Sequence, residues 1–343
     1  MVDIALSGFL SGFATAYFAL QAFLLFRRED ASRLQQVVAC IFVQWALFNL
    51  KDFLLTIPDY KDAVTQNVLI LVDGMSFIGY TLFIYELIHP GWSTWRKAGL
   101  MLLAYLPFFV AFSIWPHEVV IRCYMVCLFV AGTIIFLLWY RQARRYARYI
   151  RANYSNLDHI DISWLRVVAF FFVVCQLLWV VIAVVQHPLT DCLYYILSII
   201  LWQITLEYVL RQQPVTIEEE TQGPIEPESV REYGFAQLLP SMIEKDKLYL
   251  NPTLSLKDLA ASIGTNRTYL SDYFTHVLNT TFYNYINSIR IEKKSIPMLQ
   301  DDNNYTIEVI AKESGFQSLS TFRRAFVKQV GVTPSKYRKQ IKG

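Results

Sequence analysis

Residues 259–274 read LAASIGTNRTYLSDYF, and residues 310–326 read IAKESGFQSLSTFRRAF. In both stretches an alanine stands four residues before a glycine, Gly264 or Gly315. Glycine lets the chain turn sharply between two helices, because it adopts a positive φ without steric cost. The shared spacing predicts the same unit twice, with a helix, a tight turn and a second helix in each copy.

The residues after each glycine indicate where the second helix of each unit begins. A polar N-cap candidate follows, Asn266 in the first copy and Ser318 in the second. Two apolar residues then stand four positions apart and share one helix face. These pairs are Leu270 with Phe274 and Phe322 with Phe326. Such helix-turn-helix units are an architecture by which proteins place a recognition helix in the DNA major groove.

The composition separates the chain into two parts. Of its 343 residues, 55% are apolar and 17% are charged, whereas soluble domains carry about 25% charged residues. The apolar excess lies before position 212, in blocks close to the roughly 20 residues that cross a bilayer. We therefore predict an all-α chain in which residues 1–211 form a transmembrane sensor or anchor domain. Its seven predicted spans cover residues 4–26, 37–55, 64–87, 98–115, 119–140, 165–186 and 192–210.

The basic residues between the spans predict the orientation. They follow spans one, three, five and seven, and basic loops stay on the cytoplasmic side. They are Arg27, Arg28, Arg33, Arg96, Lys97, Arg141, Arg144, Arg145, Arg148, Arg151 and Arg211. We expect a multi-pass protein of the inner (cytoplasmic) membrane, with its N-terminus outside and its C-terminal domain in the cytoplasm. The basic stretch at 141–151 is interpreted as an anchor on the inner leaflet.

Ionisable residues inside the spans are costly and point by default to a functional site. Four of them lie toward the predicted outer face: Lys51, Asp52, Asp73 and Arg122. One hypothesis is a signal pocket for a small molecule or a membrane partner, because the outer loops are too short to fold as a sensor domain. The alternative is structural: Asp73 pairs with Lys51 or Arg122 only to neutralise buried charge.

A short acidic stretch separates the apolar part from the C-terminal part. Residues 212–230 read QQPVTIEEETQGPIEPESV, and three prolines with five glutamates predict a linker that forms no core. Residues 231–343 are predicted to be the DNA-binding domain. Between positions 229 and 343, 16 Lys or Arg stand against 10 Asp or Glu, a net charge of +6 that suits double-stranded DNA as a partner.

The C-terminal part resembles the DNA-binding domain of AraC/XylS-type transcription regulators. The matching positions are the first motif at 259–274, then Thr281, Phe282, Tyr285, Ile286, Arg290, Ile310, Ala311, Gly315, Phe316, Phe322, Arg324, Phe326 and the tail GVTPSKYR at 331–338. The resemblance covers less than a third of the chain. It implies a bacterial regulator whose two helix-turn-helix units enter successive major grooves on one face of the DNA.

The resemblance also implies which side chains contact DNA. Base contacts fall on Thr268, Ser271 and Asp272 in the first unit and on Leu319, Ser320, Arg323 and Arg324 in the second; phosphate contacts fall on Arg267 and Lys328. The second recognition helix is the better equipped, because arginine can bind guanine through two hydrogen bonds. The alternative for each residue is a place on a solvated helix face.

Two positions depart from the family pattern in or just after the helix that connects the two units, around residues 282–296. Lys294 stands where the family favours alanine, and Pro297 stands where it favours leucine. Proline lacks the backbone N–H and clashes with the preceding turn, so the connecting helix is expected to end near Ile296.

Other functional classes leave little trace in the sequence. Cys123 and Cys127 stand one helical turn apart, but no histidine or carboxylate joins them at zinc spacing, so we predict no metal and no cofactor. We find no HExxH, GxSxG or phosphate-binding glycine loop, so we do not expect an enzyme. The favoured function is a membrane-embedded, sequence-specific transcription regulator. The alternatives are a membrane transporter or enzyme with a regulatory DNA-binding tail, and a scaffold that holds DNA at the membrane. A homodimer is one option for the oligomeric state.

Overall fold

The structure, a computed structural model, describes residues 2–52, 62–185, 187–215, 233–301 and 305–342. Every regular element in this part of the chain is a helix, and no β-strand occurs in it, which confirms the all-α fold. Residues 216–230, which make up most of the predicted linker, lie outside the described residues.

The chain divides into two compact units. The first comprises Met1–Arg144 and Ile162–Thr216, and the second comprises Arg145–Asp161 and Ile217–Gly343. The second unit therefore contains a stretch of chain from between two predicted spans, far from the rest of that unit in sequence. The predicted domain boundaries near 211 and 231 stay a prediction.

The first unit is built from long apolar helices. They are α1 (Val2–Phe26), α2 (Arg33–Asp52), α3 (Ala63–Asp73), α4 (Ser76–Ile88), α5 (Trp95–Leu103), α6 (Leu106–Ile114), α7 (Glu118–Asn153), α8 (Leu165–Val185) and α9 (Pro188–Arg211). Predicted spans three and four are each two helices joined by a short turn. Helix α7 continues through the basic stretch at 141–151, so this stretch is helical rather than a loop; its role as a lipid anchor stays a prediction.

Aromatic side chains fill the interior of the first unit. Trp202 is fully buried, and its ring centroid lies 5.4 Å from that of Phe42 and 5.5 Å from that of Tyr80. Large apolar side chains also cover the outside: Phe9 is 68% exposed and Leu103 is 60% exposed. A helix that is apolar on all sides suits a lipid environment, because water would make such exposure unfavourable.

Six segments of the described chain are long and apolar enough to cross a membrane by length and composition. They are Asp3–Phe26, Ala63–Ile88, Trp95–Ile114, Glu118–Asn153, Leu165–Ile182 and Pro188–Arg211. Among the described residues α2 does not meet this criterion; it carries Gln35, Gln44, Asn49, Lys51 and Asp52. The count of seven spans therefore stays a prediction.

The second unit consists of shorter helices around two hydrophobic cores. They are α10 (Leu239–Lys245), a 3-10 turn (Leu248–Leu250), α11 (Leu256–Ser262), α12 (Arg267–Asp272) with a π-turn (Tyr273–Val277), α13 (Phe282–Arg290), a second π-turn (Ile291–Ser295), α14 (Ile296–Gln300), α15 (Ile307–Glu313), α16 (Leu319–Val330) and α17 (Pro334–Lys342). One core contains Leu259, Leu270 and Phe274, and the other contains Ile310, Phe322 and Phe326. The apolar residues predicted from their spacing in the sequence thus form one hydrophobic core in each helix-turn-helix unit.

The connecting helix does not end near Ile296, which corrects the expectation drawn from Pro297. Helix α13 passes into the π-turn and then into α14, which has Pro297 in its first turn and runs to Gln300. In a π-turn each N–H bonds to the carbonyl oxygen five residues earlier. Pro297, which has no N–H, stands just after this turn, where the hydrogen-bond spacing returns from five residues to four, and the helix accommodates it there. The Ser295 hydroxyl donates to the carbonyl oxygen of Arg290 at 3.1 Å within this turn.

Candidate nucleic-acid interface

The first helix-turn-helix unit comprises α11, the turn at Gly264 and α12. A capping box fixes the start of α11, where the Ser255 side chain accepts from the Asp258 N–H and the Asp258 carboxylate accepts from the Ser255 N–H. Gly264 has φ of 71°, and Asn266 caps α12 by accepting from the Tyr269 N–H at 2.8 Å. These observations confirm the turn and the N-cap that the sequence predicts.

The second unit comprises α15, the turn at Gly315 and α16. Gly315 has φ of 83°, and a methyl group added there would lie 2.7 Å from the carbonyl oxygen of Leu250. Ser318 caps α16, since its hydroxyl accepts from the Thr321 N–H at 3.2 Å. Glycine is therefore required here for two reasons, the backbone conformation and the close approach of another chain segment.

The predicted contact residues of α12 differ in their surroundings. Thr268 is exposed and Ser271 is half-buried. Asp272 is held within the protein: it accepts a hydrogen bond from the Tyr233 hydroxyl and pairs with His276 Nδ1 at 2.8 Å. Arg267 donates from Nη1 to the Tyr149 hydroxyl at 3.1 Å.

The predicted contact residues of α16 form a more open surface. Arg323, Arg324 and Ser320 are exposed on this helix. Leu319 instead packs against the second core, and Lys328 donates to Asn284 Oδ1 at 2.8 Å. The exposed arginines present hydrogen-bond donors of the kind that can bind guanine, and a base-reading role for α16 stays a prediction.

The sequence matches a known family in this region, where residues 259–340 fit the model described as a helix-turn-helix domain. This match is in line with the resemblance to the DNA-binding domain of AraC/XylS-type regulators. The match agrees with the two turns, the two caps and the two cores described above. It covers less than a third of the chain, and leaves the apolar helices outside.

Curated relatives of the helix-turn-helix domain are transcription regulators. The chain is 34% identical over 92 residues to an uncharacterized HTH-type transcriptional regulator of Staphylococcus aureus (strain COL), covering 27% of this chain and 12% of that protein. It is 35% identical over 86 residues to the melibiose operon regulatory protein of Escherichia coli (strain K12), covering 25% of this chain and 28% of that protein. A solved structure of a Listeria innocua protein of unknown function is 31% identical, covering 30% of this chain and 94% of that one, with a TM-score of 0.27.

Arg290 is a buried cation at the centre of the helix-turn-helix domain. Its side chain is fully buried and donates to the carbonyl oxygens of Tyr249 and Asn251, both at 2.6 Å. It also donates to the carbonyl oxygen of Ser155 at 3.2 Å and to the Ser155 hydroxyl at 3.1 Å. Burial lowers the pKa of Arg290 to about 10, so the guanidinium stays charged at neutral pH. The sequence matches Arg290 to the family pattern but gives no sign of its partner Ser155.

Of the four residues predicted as a signal pocket, which all lie in the apolar unit, three come together in the structure. Lys51 pairs with Asp52 and, at 2.8 Å, with Asp73. Asp52 also accepts from the Tyr195 hydroxyl at 3.2 Å. Arg122 does not join this cluster: it pairs with Glu118 one turn away at 2.7 Å, and both side chains are more than two-thirds exposed. In the structure Lys51, Asp52 and Asp73 form a cluster that Arg122 does not join; a signal pocket at this cluster stays a prediction.

A second buried carboxylate in the apolar unit was not predicted from the sequence. Glu86 is almost fully buried and lies 3.3 Å from the Arg33 guanidinium. It accepts from the backbone N–H groups of Gly91 and Ser93 at 2.7 and 2.8 Å. The sequence does contain one sign of this site: Glu86 lies in a predicted span, where an ionisable residue needs a partner. Among the described residues no cluster of metal-ligating side chains occurs.

Proposed function

We propose that this chain is a membrane-embedded transcription regulator that binds specific DNA sites and responds to a signal at the membrane. The observation that carries the proposal is the combination of two features in one polypeptide. An AraC-type helix-turn-helix domain occupies residues 259–340, and six helical segments before it have the length and composition of membrane spans. The regulators among its relatives support a DNA-binding rather than an enzymatic role.

On the DNA side, α16 is proposed to read bases and α12 to assist it. Arg323 and Arg324 are exposed and would each contribute about 1–3 kcal/mol of discrimination when bonded to guanine. Arg267 and Lys328 are proposed to contact phosphates, which would position the domain without specifying a sequence. The similarity to the melibiose operon regulatory protein covers 25% of this chain and 28% of that protein, so we take it to support operon regulation and not a sugar ligand.

On the membrane side, the cluster of Lys51, Asp52 and Asp73 is the proposed place where a signal acts. Three ionisable groups within one apolar unit are costly unless they pair or bind a ligand. The N-terminus is proposed to lie outside and the DNA-binding domain in the cytoplasm. If the cluster receives a signal, Asp73→Ala will abolish the transcriptional response at unchanged membrane abundance; an unchanged response would leave the cluster a structural ion pair.

The proposal is tested by crosslinking tagged full-length protein to DNA in its own cells and sequencing the recovered DNA. Arg323→Ala/Arg324→Ala is the test variant. Lys245→Ala/Lys339→Ala is the matched control, because it removes two exposed positive charges from other helices of the same unit. Discrete sites that are lost only in the arginine variant, from protein recovered in the membrane fraction, support the proposal. Equal recovery from all three proteins would favour a transporter or enzyme with a regulatory tail.

A further inference from the structure

The second compact unit includes a segment that is remote in sequence from the helix-turn-helix domain. We call residues 145–161 the docked segment; it comprises the last turns of α7 and the turns that follow. Tyr146 and Ile150 are buried, and the Tyr146 hydroxyl donates to the carbonyl oxygen of Ile160 at 2.8 Å. The segment therefore has its own internal structure and is packed rather than merely adjacent.

Ser155 anchors the docked segment to the domain. Its N–H and hydroxyl both donate to the carbonyl oxygen of Leu254, at 3.2 and 2.7 Å. Its own carbonyl oxygen accepts from Asn287 Nδ2 and from Arg290 Nη1, both at 3.2 Å. Ser155 is fully buried, and Tyr154 beside it forms an isolated antiparallel bridge with Ser255. Without Ser155, the buried guanidinium of Arg290 would have hydrogen-bond donors without acceptors, which is costly. We therefore expect the Ser155 contact to persist.

Asp158 touches the N-terminal end of the second recognition helix. Its Oδ1 accepts from the Ser318 hydroxyl at 3.0 Å and from the Thr321 hydroxyl at 2.6 Å. Ser318 is the N-cap of α16, and Thr321 in its first turn also accepts from Arg324 Nη2 at 3.2 Å. The other oxygen of Asp158, Oδ2, is buried and has no hydrogen-bond partner among the described residues. A half-satisfied buried carboxylate is costly, so this contact is weaker than the Ser155 anchor.

Tyr149 touches the start of the first recognition helix. Its hydroxyl accepts from Arg267 Nη1, and the Arg267 guanidinium carbon lies 5.8 Å from the centre of the Tyr149 ring. Arg267 is the first residue of α12 and one of the proposed phosphate contacts. The docked segment thus reaches the N-terminal ends of both recognition helices at once.

We propose that the docked segment competes with DNA for these two helix ends. Proteins use helix N-termini, hydroxyls and arginines to hold DNA phosphates, and the first residues of a recognition helix face the DNA. Asp158 supplies an anion, and Tyr149 an acceptor oxygen, at positions where phosphate oxygens would bind. DNA binding requires Asp158 and Tyr149 to withdraw, while Ser155 stays in place. The inference rests on the proposed function, and makes the chain its own inhibitor of DNA binding.

The test measures the affinity of full-length protein in lipid nanodiscs for a short mixed-sequence DNA duplex at low salt. This probe is suitable because non-specific binding is governed by phosphate contacts. Asp158→Ala is expected to tighten binding about tenfold. The apparent affinity is proportional to the fraction of molecules in which the docked segment has withdrawn, and the variant raises this fraction. Tyr149→Phe is expected to tighten binding about twofold to threefold, because it removes the hydrogen bond from Arg267 Nη1 but keeps the aromatic ring beside the guanidinium.

Two further variants separate competition from a change of charge or of helix structure. Asp246→Ala removes one exposed carboxylate from the same unit and is expected to leave the affinity within twofold of wild type. Asp158→Asn keeps an acceptor oxygen at the cap of α16 and is expected to give a smaller gain than Asp158→Ala. Equal gains from Asp246→Ala and Asp158→Ala would overturn the inference, because the effect would then be one of net charge.

Hydrogen exchange provides a second readout that does not need a variant. When excess duplex is added to wild-type protein, the amides of residues 158–161 should exchange faster, while the Ser155 amide stays protected. Unchanged exchange at 158–161, together with an unchanged affinity of Asp158→Ala, would overturn the inference. If Arg323→Ala/Arg324→Ala still weakens binding in that case, the proposed function stands alone. Failure of every variant and of wild type to bind duplex would overturn both.

Discussion

The two helix-turn-helix units share one sequence pattern and differ in how their turns are packed. The turn glycine of the first unit, Gly264, has open space around the position that a Cβ would occupy. The turn glycine of the second unit, Gly315, has the carbonyl oxygen of Leu250 at 2.7 Å from that position. The same residue thus serves conformation alone in one turn, and conformation plus close packing in the other.

The two recognition helices also differ, both in the regularity of the helix and in the exposure of their polar side chains. Helix α12 is α-helical for six residues before a π-turn, and its Asp272 is held by Tyr233 and His276. Helix α16 is regular for twelve residues and exposes Arg323 and Arg324. From this comparison we expect the second unit to supply most of the contacts that read DNA and the first unit to supply supporting contacts.

The largest expected difference between the units is in DNA affinity. Arg323→Ala/Arg324→Ala should weaken binding to a site recovered by crosslinking by roughly 2–6 kcal/mol, since each paired contact to guanine is worth about 1–3 kcal/mol. Thr268→Ala/Ser271→Ala should cost roughly 1–3 kcal/mol for two ordinary hydrogen bonds. Fluorescence anisotropy with labelled duplex measures both. Equal losses would contradict the proposed division between the units.

The next largest difference is in the stability of the two turns. Gly315→Ala should reduce the local free energy of opening by roughly 2–5 kcal/mol, because it combines an unfavourable positive φ with a clash against backbone. Gly264→Ala should cost only about 1–2 kcal/mol, because the conformational penalty acts alone. Hydrogen-exchange protection of the α15–α16 and α11–α12 amides reports these values. A Gly264→Ala variant as damaging as Gly315→Ala would show that the open space at Gly264 is not significant.

The smallest expected effect concerns the charge on α12. Asp272→Asn should tighten non-specific duplex binding about twofold, because it removes one negative charge from a recognition helix. Asp246→Asn is the matched control, since it removes an exposed charge beyond the end of α10. The gain from Asp272→Asn should shrink as salt is added, which a titration between low and physiological ionic strength would measure. Weaker non-specific binding by Asp272→Asn would contradict this charge effect.

Much of the helix-turn-helix domain could be predicted from the sequence because its signals are local. Gly264, Gly315 and the two N-caps lie within a few residues of the helices they delimit, and the structure confirms all four. The continuation of the connecting helix past Pro297 could not be predicted, because a π-turn has no simple sequence signature. A single sequence gives the cost of proline but not the local change of pattern that accommodates it.

Long-range polar contacts were the part that the sequence could not supply. Lys51, Asp52 and Asp73 lie together, as expected of charged residues that need partners in an apolar span. Arg122 lies apart from them, because Glu118 one helical turn away pairs with it. Ser155 and Asp158 were missed altogether: small polar residues in a turn have no pattern that reveals partners more than 90 positions away.

Ser155 and Arg290, which are hydrogen-bonded in the folded domain, are synthesised at different times. The two residues are 135 positions apart. At about 5–20 residues per second, the ribosome adds Arg290 roughly 7–27 s after Ser155. The docked segment is therefore already made when the first helix of the DNA-binding domain emerges, and the two Ser155 acceptors of Arg290 are present before any other part of that domain. Residues 145–161 are thus available to the domain throughout its synthesis.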